Sequence, residues 1–169
     1  MSPFDSIRIC RADYANSGHA KALVGMLDEY ARDPMGGGEA LSQFARLNVV
    51  KELAKIPQAF SVMAFDGEGE EIPVGLANCL QGFSTFACKP LINVHDLTVS
   101  RGYRGQHIAE SMLTLVETIA RERGACKLTL EVLSGNAPAM RLYTRVGFAH
   151  YELDPAAGQA GLMQKWLVY

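Results

Sequence analysis

The 169-residue chain lacks most of the features that would assign it to a class at a glance. Its four cysteines, Cys10, Cys79, Cys88 and Cys126, stand far apart, with no Cys-x-x-Cys pair and no histidine at zinc-ligand spacing. Neither a metal site nor a dithiol redox motif is indicated, and reduced, mostly buried thiols are expected. No apolar run reaches the roughly 20 residues that cross a bilayer, and Asp5 and Arg8 interrupt the start where a leader would be apolar. The expectation is a cytoplasmic protein with no membrane partner. Positive charge is not in excess either. Lys and Arg total 16 against 18 Asp and Glu, a net charge of −2, so nucleic acid is not the expected partner. No repeat, low-complexity tract or linker divides the chain, and 49% apolar residues suffice for one domain over residues 1–169 with a continuous core.

What is present reads as an alternation of strands and helices. Ile7 and Ile9 alternate with polar neighbours as a short strand does, and a helical stretch follows through Leu23, Val24, Leu27 and Tyr30, capped by Asn16 or Ser17. Pro34 and Gly36 to Gly38 break it with a flexible loop, after which Leu41, Phe44, Val49, Leu53 and Ile56 return at helical spacing until Pro57. Three strand-like runs come next, Ala59 to Phe65, Val74 to about Phe86 and Leu91 to Val99, the first two joined by a hairpin at Asp66 to Gly69. Residues 106–123 carry Ile108, Met112, Leu115, Val116 and Ile119 on one helical face, with Gly124 suited to end it. A strand over Lys127 to Leu133, a helix from Asn136 to Val146, and closing strands over Phe148 to Leu153 and Leu162 to Leu167 complete a mixed α/β (α+β) pattern.

One junction is chemically suggestive. Val99-Ser-Arg-Gly-Tyr-Arg-Gly-Gln-His-Ile-Ala109 passes directly from a strand into the most amphipathic helix. Such a junction points unpaired backbone N–H groups and the positive end of a helix dipole at one spot. A pyrophosphate fits there, with Gly105 and Ala109 permitting close approach and Arg104 adding charge. The loop lacks the Lys-Ser/Thr ending of a P-loop, and its small residues are not spaced as G-x-G-x-x-G.

The run Val94 to Ala109 resembles the core motif of the GCN5-related N-acetyltransferase (GNAT) superfamily. Its loop, Arg or Gln, two residues, Gly, one residue, Gly or Ala, is matched by Arg104, Gly105, Gln106, His107, Ile108 and Ala109, with His107 in place of the glycine. Downstream, Asn136, Ala139, Leu142, Tyr143, Gly147 and Phe148 resemble the family's second signature. Val94 to Val99 with Tyr103 and Arg104 also looks like the polyamine acetyltransferase branch. The resemblance implies a central mixed, mostly antiparallel sheet of about six to seven strands flanked by four helices.

It also implies a chemistry: acetyl-CoA as co-substrate, and direct attack by a primary amine of a small molecule in a ternary complex. At pH 7 an alkylammonium of pKa about 10.4 must lose a proton at a cost of roughly 4 to 5 kcal/mol, so a base is expected. By position in the family, His95 and Asp96 are the candidates. Strand alternation would send them to opposite faces, and His95 serves equally well as a structural imidazole. Tyr143 corresponds to the family's general acid. Backbone groups of Leu97, Thr98 and Val99 and the side chain of Asn136 would hold the pantetheine arm, and residues 104–109 the phosphates. The first two helices and their loop, with Asp28, Glu29, Tyr30, Asp33 and Glu39, would receive the amine. Acetylation of a protein lysine or N-terminus, and a non-catalytic acyl-CoA-binding sensor, are the alternatives. Trp166, Leu167, Val168 and Tyr169 either contribute to a homodimer or finish the sheet.

Overall fold

The computed structural model of the protein describes residues 6–67, 71–152, 154, 156, 158 and 160–167. The chain divides into two compact units, Met1–Leu130 and Glu131–Tyr169. In the first, strands β1 (Ile7–Arg11), β2 (Ala59–Asp66), β3 (Ile72–Ser84), β4 (Lys89–Val99) and β5 (Leu128–Leu130) form one sheet in that order. β1 to β4 pair antiparallel, and β5 joins β4 parallel. Helices α1 (Ser17–Arg32) and α2 (Gln43–Ala54) lie between β1 and β2 in sequence, and α3 (Ile108–Glu122) between β4 and β5.

Facing residues of an antiparallel pair share a side of the sheet, which sorts the core. On one side Met63, Phe65 and Leu76 pack with Ala22, Leu23 and Met26 of α1, bordered by Val49, Val50 and Leu53 of α2. α2 buries no residue fully, and its Phe44 and Leu47 are exposed, so its apolar periodicity is only half used. α3 takes the other side. Its Met112 lies so near Gly75 that a Cβ there would be 2.9 Å from the methionine methyl carbon. Of the predicted stripe, Ile108, Met112, Val116 and Ile119 are buried and Leu115 half-buried, and Leu113 and Ala120 join the buried set. Gly124, at φ 70°, ends α3 with Ala125 N–H donating to the Ala120 carbonyl and its own N–H to that of Arg121.

β4 is not regular. Val94 faces Cys79 and Asp96 faces Asn78, so His95 is an extra residue, a β-bulge. Two residues that alternation would place on one side, Val94 and Asp96, therefore point to opposite sides. Pairing with β5 covers only Ile92, Asn93 and Val94. From His95 to Val99, β4 is paired with β3 alone among the described residues.

The second unit holds α4 (Ala137–Arg145). Asn136 caps it, its side-chain oxygen accepting from Ala139 N–H, with Pro138 in the first turn. The helix ends at Gly147, φ 97°, where Phe148 N–H donates to the Tyr143 carbonyl and Gly147 N–H to that of Thr144. The rings of Tyr143 and Phe148 meet edge to face at 5.7 Å, the apolar contact that accompanies this type of helix ending. The expected strands over 148–153 and 162–167 are corrected. Among the described residues neither is a strand, and the sheet has five strands rather than six or seven. Apolar alternation makes a strand only where a ladder and a covered face exist; Leu162, Met163, Trp166 and Leu167 are instead exposed. Leu153, Val168 and Tyr169 lie outside the described residues, as do Glu68 and Gly69 of the expected hairpin.

Candidate active site

The strand-to-helix junction is built by backbone conformation. After β4 a single 3-10 turn, Arg101–Tyr103, redirects the chain, with Tyr103 N–H donating to the Ser100 carbonyl. Gly105 then takes φ 79° with open space where a Cβ would stand, and His107 takes φ 59° and ψ 11° as the N-cap of α3. These two left-handed residues make the helix begin at Ile108, two positions later than its periodicity suggested. Ile108 is buried under the helix, while Ala109 and the first-turn N–H groups lie at its N-terminal end. Gln106 donates to the Gly102 carbonyl at 3.4 Å, and its buried Oε1 has no partner among the described residues. His107 directs its Nδ1 at Glu110, 2.9 Å away, with the imidazole exposed.

Arg104 is fixed at both ends of its guanidinium: Nε donates to the Val99 carbonyl at 2.9 Å and one terminal nitrogen to Asp33 at 2.9 Å. Asp33 closes α1, and its carbonyl accepts from the N–H groups of Gly36, Gly37 and Gly38. The Met35 N–H, and then Arg104, hold its carboxyl below the usual carboxylate range. The connection expected to be flexible is thus a hydrogen-bonded knot. Gly36 is essential to it, because a Cβ there would stand 2.0 Å from the Tyr30 carbonyl oxygen.

Of the two candidate bases, the bulge leaves His95 exposed and turns Asp96 toward the α1 side, half-buried. There Asn78 Nδ2 donates to Asp96 Oδ2 at 2.9 Å. Asn78 and, behind it, Ser61 and Tyr14 are side chains that sequence reasoning missed. Ser61 Oγ donates to Asn78 Oδ1 at 2.6 Å, and Tyr14 Oη meets Ser61 Oγ at 2.8 Å. Ser61 and Asn78 are buried. A polar residue within the apolar runs Ala59–Phe65 and Val74–Leu80 was the available signal, since buried polar groups require partners. Burial, together with the charge of Asp96, raises the pKa of Tyr30, so α1 presents a protonated phenol near this carboxylate.

The acidic residues of α1 divide into two groups. Asp28 is engaged by Arg32 and by Leu41 N–H, and Asp33 by Arg104. Glu29, exposed, accepts from Ser100 Oγ at 2.9 Å. The cysteines are not the mostly buried set expected: Cys79 is buried, Cys10 partly so, and Cys88 and Cys126 are exposed. Burial pushes the Cys79 thiol up to about 12, which keeps it protonated and unreactive at neutral pH. Among the described residues no three His, Cys, Asp or Glu side chains gather as metal ligands, and no helix is long and apolar enough to cross a membrane.

Asp96, His95, Leu97, Thr98, Val99 and residues 104–109 all belong to the first unit and lie along one strand edge and the loop that continues it. Asn136 and Tyr143 belong to the second, on either end of α4.

Comparisons with known proteins identify the family. The model of the acetyltransferase (GNAT) family matches residues 38–148. The chain belongs to that family and is an N-acetyltransferase. Streptothricin acetyltransferase of Streptomyces lavendulae is 32% identical over 168 residues, which cover 86% of this chain and 84% of the relative. Among solved structures, a probable acetyltransferase superposes with a TM-score of 0.78 at 19% identity, covering 94% of this chain and 98% of its own. AAC(6')-Iy, solved with the bisubstrate analogue CoA-S-monomethyl-acetylneamine, gives 0.72 at 14% identity, covering 95% and 99%. These two likenesses show the fold. The resemblance to the polyamine branch is not confirmed by the relatives found.

Proposed function

We propose that the chain, acting as one domain, transfers the acetyl group of acetyl-CoA to a primary amine of a small, polycationic molecule by direct attack in a ternary complex. The observation that carries this reading is the course of β4: among the described residues its edge toward β5 is unpaired from His95 onward, Asp96 lies within that stretch, and the strand runs straight into a left-handed loop at a helix N-terminus. Gly105, with space where a Cβ would stand, suits a phosphate at that terminus. Residues 104–109 hold the pyrophosphate, and the backbone of Leu97, Thr98 and Val99 the pantetheine arm. The streptothricin relative and the aminoglycoside analogue bound to AAC(6')-Iy favour a small molecule bearing several amino groups. Asp96 and Glu29 are the acidic side chains placed to attract it.

Bound acetyl-CoA supplies an activated acetyl thioester. Asp96, directly or through one water, takes the first proton of the ammonium and passes it to solvent. The freed amine forms the new C–N bond as the C–S bond breaks. Tyr143 gives its phenolic proton to the departing sulfur and recovers one from the new amide nitrogen, so the overall release is one proton. His95, exposed on the bulge, is not needed for these transfers.

The test is thiol release from acetyl-CoA across streptothricin, aminoglycosides, polyamines, amino acids and lysine peptides, with calorimetry of coenzyme A binding. Turnover with a polycationic small molecule is expected, at a kcat/KM well above that for peptides. No binding at millimolar coenzyme A, or a preference for peptides, would overturn the reading.

A further inference from the structure

We infer that Asn78 is the positioning residue for the Asp96 carboxylate, itself oriented by Ser61 and Tyr14, so that one carboxylate oxygen is held and the other is turned to the acceptor amine. This rests on the reading of Asp96 as the base.

The hydrogen bonds have a fixed direction. Ser61 gives its only proton to Asn78 Oδ1, so the Tyr14 phenol must donate to Ser61. Asn78, its oxygen committed to Ser61, can present only its amide N–H₂ to Asp96, and does so at 2.9 Å. All the donors therefore point one way and end on the carboxylate. Burial raises the pKa of Tyr14, so the first member of the row remains a donor throughout the range in which the enzyme would work.

The row is costly to keep without a purpose. Ser61 is 0% exposed and Asn78 6%, in strands whose neighbouring buried positions, Phe60, Val62, Met63, Leu76, Ala77 and Cys79, are apolar. Ser61 and Asn78 each exchange water for protein partners with little net gain, so folding alone gives little reason for polar residues at these two positions. The bulge at His95 supplies the second half of the argument. Without it Asp96 would share the side of Val94 and face α3, away from Asn78; the extra residue puts it opposite Asn78 instead. The row also ends in a primary amide, which does not hand a proton on as a hydroxyl or water does. It orients Asp96 and does not drain it.

The test is a pH profile of kcat/KM for an accepted amine in Asn78→Ala, Asn78→Asp and Asp96→Asn. Loss of the amide removes a bond to the charged form, so in Asn78→Ala the acid limb is expected to move to higher pH. Its kcat is expected to fall about 10- to 100-fold, with the KM for acetyl-CoA unchanged. Asn78→Asp, with a like charge beside Asp96, moves the limb further in the same direction. Should Asn78→Ala fail to fold, Ser61→Ala and Tyr14→Phe each remove one hydroxyl. Each is expected to shift the limb the same way, with kcat down about 2- to 10-fold. Full activity in Asp96→Asn overturns the base assignment and this inference with it. An inactive Asp96→Asn beside an unmoved acid limb in the folded Asn78, Ser61 or Tyr14 variants overturns the inference alone.

Discussion

His107 occupies a position that its own backbone conformation disfavours, and this can be measured. It sits at φ 59°, where a Cβ crowds the following carbonyl and costs about 1 to 2 kcal/mol relative to glycine. Two smaller terms oppose its replacement. A glycine regains about 0.4 to 1 kcal/mol of freedom in the unfolded chain. The pair with Glu110 is lost, but the imidazole is 71% exposed, so that pair belongs near the bottom of the about 0 to 1 kcal/mol range of surface ion pairs. His107→Gly is therefore expected to be more stable by up to about 1 kcal/mol, a rise of about 2 to 4 °C in Tm for a chain of this length. His107→Ala is the control, because it discards the imidazole and keeps the Cβ: it should melt below the glycine variant by a similar margin. Thermal unfolding followed by circular dichroism reads both, and calorimetry reads coenzyme A affinity, which the glycine variant should keep or improve. A glycine variant no more stable than the alanine variant would refute the strain argument. A large loss of cofactor affinity in both would show that the imidazole itself contacts the phosphates.

Three further outcomes follow from other parts of the molecule. Tyr143→Phe should lower kcat by about 10²-fold with coenzyme A affinity nearly unchanged, since thiolate departure needs modest help; unchanged turnover in the folded variant would leave Tyr143 as the packing partner of Phe148. Gly36→Ala places a methyl carbon 2.0 Å from a backbone oxygen and should cost more than about 2 kcal/mol in chemical denaturation, whereas Gly25→Ala, on the open face of α1, should be neutral or stabilising. Asp33 has a depressed pKa in the folded chain, so its contribution is complete above the usual carboxylate value of about 4 and disappears as pH falls through the lower folded value. Asp33→Asn should accordingly be less stable than the parent at pH 7, with the difference shrinking toward pH 3 in urea titrations.

Local chemistry was readable before any coordinates. Periodicity announced α3, and Asn136 and Pro138 announced the start of α4, because each depends on neighbours within one or two helical turns. Gly147-Phe148, matched as a signature, turned out to be the end of α4, with Tyr143 as its apolar contact. What was not readable depends on distant partners. Nothing around Asp33 indicates Arg104, 71 positions away, and nothing in the order Val94-His95-Asp96 indicates which residue is extra. The C-terminal segments failed for the same reason in reverse, since their alternation suggested a ladder that the described residues do not form.

The bulge gives β4 a change of parity. Residues 89–94 and 96–99 each alternate correctly, but the two stretches are out of step with one another. A substitution changes what one position offers; a change in the count of residues changes which layer every later position addresses. Removal of one residue near His95 would leave the composition of the strand almost untouched. It would nevertheless exchange the surroundings of Thr98, which now faces the α1 layer with Leu76, and Val99, which faces the α3 layer with Gly75. Sequences of related chains are therefore best compared here by length first and by residue type second, since a carboxylate at the right distance along the strand serves the wrong compartment if the count is even where this one is odd.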